Sequence, residues 1–290
     1  KFISLFNLTD YKHILKEHLQ SEDYNTAICA AITMKTMGDS SILNYLQNLT
    51  ESNNYNIRKK IAATINPSVD EQLDNIVLKL SRDENYSVSS TAILKLQEFP
   101  YHKAIEYFKD LVFDDSYRNK DKVAGILGEF NSPQVIPLLV EITKDENVNT
   151  LVEVIRALGK IESRLSIPIL KTMNLHKMPF LEIERAKSLI LHNDFEGWEK
   201  LINYMDLNFS YISNYAKTSF IELANADYFS HLKELTFDES PLVACLATMK
   251  IYMFNEEEGK EAIYRLKNLR KPDVNYHLTL LLSFLPAEIS

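Results

Sequence analysis

The stretch SPQVIPLLVEITKDENVNTLVEVIRALGKI, residues 132–161, decides the fold. Val135, Ile136, Leu138, Leu139 and Ile142 stand at i, i+1, i+3, i+4 and i+7, the stripe an α-helix turns toward a core. An acidic pair, Asp145-Glu146, and then Asn147 follow. Asn is among the best helix N-caps, and negative charge at a helix start complements its macrodipole. A second apolar helical run, from Val148 to Ile161, comes next. The stretch therefore predicts a helical hairpin: helix A, a short acidic turn, helix B.

The same start recurs along the chain. Steps of 31 residues back from Asn147 reach Ser116, Asn85, Asn54 and Asp23, all preferred caps. One step forward reaches Met178, followed by Pro179, a residue suited to the first helical position. Ser210, Ser240 and Asp273 follow at spacings of 32, 30 and 33. The residue after the cap is tyrosine at Tyr24, Tyr55, Tyr86, Tyr117 and Tyr211. The helix A stripe repeats as Ile42, Leu43, Tyr45, Leu46 and Leu49, and as Ala104, Ile105, Tyr107, Phe108 and Leu111; the third unit breaks it at Asp74. One hairpin cannot bury both apolar faces, and stacked hairpins can. The expected fold is all-α, a right-handed α-α superhelix of about nine hairpins. It forms a single domain over 1–290, with repeats near 8–38, 39–67, 68–100, 101–131, 132–163, 164–194, 195–226, 227–256 and 257–290.

Composition agrees. The 290 residues are 46% apolar and 25% charged, as in folded soluble proteins, and only 6 glycines and 9 prolines break helices. The net charge of −8 disfavours general nucleic-acid binding, which needs a positive field. No apolar run reaches the ~18 residues that span a bilayer, so direct membrane insertion is disfavoured and a cytoplasmic location is expected. The chain begins with Lys1 rather than Met, so residues 1–7 read as the remnant of an upstream segment, which leaves room for an upstream anchor. Cys29 and Cys245 fall in apolar helical runs seven repeats apart and are expected to be buried, unbridged thiols.

Residues 132–161 resemble a HEAT repeat: an apolar helix A, a turn aspartate at Asp145, and Arg156-Ala157-Leu158-Gly159 closing helix B. Gly125-Ile126-Leu127-Gly128 echoes that ending, and Ile57-Arg58 stands where HEAT repeats usually carry Val-Arg. The sixth unit departs, with His176 and Lys177 in its turn. The resemblance implies a solenoid and says little of function. Some HEAT-like proteins are enzymes. Deoxyhypusine hydroxylases bind iron through His-Glu pairs, but none of the seven histidines here is followed by Glu. HEAT-like alkylpurine DNA glycosylases need a basic, aromatic concave face, and bilin lyases share the fold without a residue set that carries over. No Gly-rich phosphate loop, CxxC or HExxH occurs. No catalytic residue, metal site or cofactor is expected.

Two surfaces remain. The leading expectation is a non-enzymatic scaffold that binds another protein through its concave face or a tyrosine–acidic edge. That edge comprises Tyr24, Tyr55, Tyr86 and Tyr117 with Asp83, Glu84, Asp114 and Asp115, a setting for a basic segment. The alternative is a nucleic-acid- or phosphate-binding protein, glycosylase-like, using Arg58, Lys59, Arg118 and Lys122. Trp198 lies on a helix A stripe and reads as core.

Overall fold

The computed structural model describes residues 12–206 and 210–283. Among them are eighteen α-helices, three short 3₁₀ turns and no strand. The chain divides into two compact units, Lys1–Met173 and Asn174–Ser290, where the sequence reads as one array. The boundary falls in the turn of the sixth hairpin. There His176 and Lys177 are consecutive left-handed residues, with φ of 50° and 55°. The proposed upstream remnant, residues 1–7, lies outside the described residues.

In the first unit the A helices are α1 (Lys12–His18), α3 (Leu43–Thr50), α5 (Glu71–Leu80), α7 (Tyr101–Val112), α9 (Ile136–Ile142) and α11 (Ser166–Thr172). The B helices are α2 (Tyr24–Thr36), α4 (Tyr55–Thr64), α6 (Tyr86–Leu96), α8 (Lys120–Glu129) and α10 (Val148–Lys160). Each B helix packs on the next, from α2 through α10, and on the A helix of its own hairpin. The stripe that predicted α9 is buried throughout: Val135, Ile136, Leu138, Leu139 and Ile142 are at most 5% exposed.

The caps follow the sequence at six of nine positions. Asp23, Asn54, Asn85 and Asn147 accept hydrogen bonds from N–H groups of the first helical turn. Ser240 accepts one from Val243, and Met178 precedes Pro179 without a side-chain bond. Ser116 is not a cap. Its helix starts at Lys120, after Asn119, whose amide donates to Ser89 Oγ at 2.7 Å rather than closing the helix. Asp273 sits inside the first turn of a helix that begins at Pro272. Ser210 is the first helical residue, and what precedes it lies outside the described residues.

The second unit contains α12 (Pro179–Leu191), α13 (Glu196–Met205), α14 (Ser210–Leu223), α15 (Phe229–Leu235), α16 (Pro241–Phe254), α17 (Glu256–Asn268) and α18 (Pro272–Leu282). Trp198 is core, with edge-on contacts to Phe220 and Tyr228 at 5.3 and 5.4 Å between centroids. Cys245 is buried, and burial pushes its thiol up to about 11. Cys29 is only half-buried, contrary to expectation, because α2 leaves it beside a small cavity lined by Leu15 and His18. Both thiols are free.

Hairpins are joined by polar clips about one repeat apart in sequence. Tyr101 donates to Ser132 Oγ at 2.8 Å, and Lys160 pairs with Glu129. In the second unit Arg265 lies 3.7 Å over the Phe237 ring and donates to Thr236 Oγ1 at 2.6 Å. The break at Asp74 has a reason of this kind. Its carboxylate is 1% exposed, pairs with Lys103 Nζ at 2.7 Å and accepts the Ser68 N–H at 2.9 Å. Lys103 also lies 5.6 Å from the Phe99 ring centroid. Breaking one side of a buried pair leaves the other uncompensated.

Lys103→Met should therefore destabilise the first unit by about 3 kcal/mol in urea unfolding, because it leaves the buried Asp74 carboxylate without its cation. Asp74→Leu with Lys103→Met should recover part of the loss; a stabilising single change would refute the pairing.

At Gly128, α8 runs close against α10. A Cβ there would meet Ala157 Cα at 2.7 Å and Cβ at 2.9 Å. Alanine is the better helix former by about 1 kcal/mol, so helix propensity and packing oppose each other. Gly128→Ala should still destabilise, by about 1–3 kcal/mol from overpacking. A gain in stability would show that the two helices do not approach this closely.

Candidate functional site

The edge where A helices hand over to B helices in the first unit is built by one repeated device. Two residues before each cap position read from the sequence, a side-chain oxygen accepts the N–H of the residue there. Ser21 does this for Asp23 and Ser52 for Asn54, both at 3.2 Å. Asp83 does it for Asn85 at 2.8 Å, and Asp145 for Asn147 at 3.2 Å. In the fourth hairpin Asp114 accepts the Ser116 N–H at 3.0 Å and its hydroxyl at 2.6 Å. The first acid of each pair is thus consumed in closing its turn. The second, Glu84, Asp115 and Glu146, faces solvent.

The tyrosines divide in the same way. Tyr24, Tyr55 and Tyr86 are exposed, by 38%, 43% and 53%. Tyr117 is not part of the row: it is buried and donates from its hydroxyl to the Ser81 carbonyl at 3.1 Å. The late start of α8 at Lys120 turns this ring inward, and burial pushes its phenol pKa up.

Two of the candidate charges cancel. Arg58 Nε and Nη2 donate to Asp83 Oδ2 and Oδ1 at 2.6 and 2.8 Å, and Nη1 donates to the Ser52 carbonyl at 2.6 Å. Arg58, a candidate for an anion site, and Asp83, a candidate for the acidic edge, therefore form one nearly buried bidentate clamp between consecutive hairpins. Burial alone would raise the Asp83 carboxyl, but bonds from Arg58 and the Asn85 N–H outweigh it and hold the carboxyl below the usual carboxylate range. Bonds from the Ser116 hydroxyl and N–H lower Asp114 similarly, with Arg82 3.7 Å away.

Clefts lie between successive turns. One of about 760 Å³ is lined by Glu51, Tyr55, Lys79, Arg82 and Glu84 among others. Another of about 720 Å³ is lined by Asp115, Arg118, Lys120, Lys144 and Asp145 among others. The basic candidates are not assembled. Arg58 lines the first cleft and Arg118 the second. Lys122 lines a third, between B helices, with its ammonium 5.7 Å from the Tyr86 centroid. Lys59 is exposed on α4 and lines none of the three.

The second unit holds a polar cluster that the sequence did not single out. Glu184 on α12 is buried and accepts from Tyr215 on α14. Lys187 lies 3.2 Å from the same carboxylate and 3.3 Å from the Tyr215 hydroxyl. These groups satisfy one another and tie α12 to α14. Their 31-residue separation was the available signal. Among the described residues no group of His, Cys, Asp or Glu is placed to hold a metal ion, and no helix is long and apolar enough to cross a membrane.

The sign of the Asp83 shift fixes a pH response. A carboxyl held below its unfolded value near 4 stabilises the fold above that value and loses its contribution as pH falls through the folded value. Urea unfolding should therefore show the first unit weakening below about pH 4, and Asp83→Asn should flatten that dependence while costing about 3 kcal/mol at pH 6. An acid response unchanged by the substitution would refute the clamp.

A family model of HEAT repeats matches residues 108–180. Two solved structures resemble the chain at low similarity. A crystal structure of an engineered protein gives a TM-score of 0.37 and 16% identity, covering 93% of this chain and 87% of that one. The complex of CpcE and CpcF of phycocyanin lyase from Nostoc sp. gives 0.39 and 14%, covering 94% of each. Both lie too low to bear on function. No curated protein matches the sequence. The stretch 108–180, from within α7 to the start of α12, consists of HEAT repeats.

Proposed function

We propose that the protein is a non-enzymatic scaffold whose first unit holds a basic segment of another protein along the A–B turn edge. The observation that carries this reading is the division of labour in the acidic pairs. Asp83, Asp114 and Asp145 close turns, while Glu84, Asp115 and Glu146 stand exposed to solvent. Exposed Tyr55 and Tyr86 flank them. Tyrosine is favoured in interfaces because it buries large area at low entropic cost, and a ring beside a carboxylate suits an ammonium or guanidinium. Lys79 pairs with Glu51, Arg58 with Asp83 and Lys144 with Glu141, so much of the edge's positive charge is already engaged. The dispersal of Arg58, Arg118 and Lys122 over three clefts gives the anion-binding alternative no comparable support.

Tyr55→Ala with Tyr86→Ala should leave thermal stability within about 1 kcal/mol, since both rings are exposed, and should abolish capture of a partner from lysate at moderate salt. Tyr117→Ala should instead cost about 3 kcal/mol, as a buried ring. Retained capture by the double variant would exclude the tyrosine edge.

A further inference from the structure

We draw no further inference here: the strongest candidate, the cleft of about 720 Å³ between the fourth and fifth turns, where Arg118 and Lys120 stand at the start of α8 beside Asp115 and Asp145, carries nothing because it amounts to a helix N-terminus rimmed by charges of both signs, and nothing in the structure shows what it would hold.

Discussion

Everything on the A–B edge of the first unit depends on one small hydrogen bond, from the N–H of the cap residue to a side-chain oxygen two residues earlier. A hairpin must reverse direction within a few residues, and the first N–H groups of the second helix have no carbonyl partner within that helix. Ser21, Ser52, Asp83 and Asp145 supply an acceptor just ahead of the cap, and the cap supplies the next. Because this position is committed inward, the residue after it is turned to solvent. The exposed row Glu84, Asp115 and Glu146 is therefore a geometric by-product of closing the turn.

Packing between hairpins balances apolar stacking with a few fixed polar pairs. The row of B helices is pulled tight where Gly128 lets α8 reach the backbone of α10 at Ala157. Elsewhere the layers are registered by clamps: Arg58 to Asp83, Lys103 to Asp74, and in the second unit Glu184 to Tyr215. Each clamp is directional where dispersion contacts are not, so it fixes which repeat sits on which.

Much of this was legible in the sequence. The 3.6-residue stripes located the A helices, and the 31-residue step located the caps wherever the turn kept its usual length. Ser116 failed because Asn119 spends its amide on Ser89 and the helix starts later, a long-range bond that local spacing does not carry. Tyr117 failed with it. Asp74 looked like a flaw in an apolar stripe, since its partner Lys103 stands a whole repeat away. Arg58 and Asp83 were assigned to rival surfaces because residue type announces charge and not whether that charge is already matched. The separation of about one repeat between such partners was the unread signal.

That separation also bears on how the protein is assembled. The clips between hairpins join residues 25 to 38 positions apart, each closing a loop only about one repeat long. Loop closure of this size costs little more than a hairpin itself, and topologies dominated by local contacts fold fast. Each unit can begin at whichever hairpin forms first and grow by adding neighbours. A terminal hairpin can likewise open while the others hold, so proteolysis and hydrogen exchange in each unit should be graded from its ends rather than all-or-none.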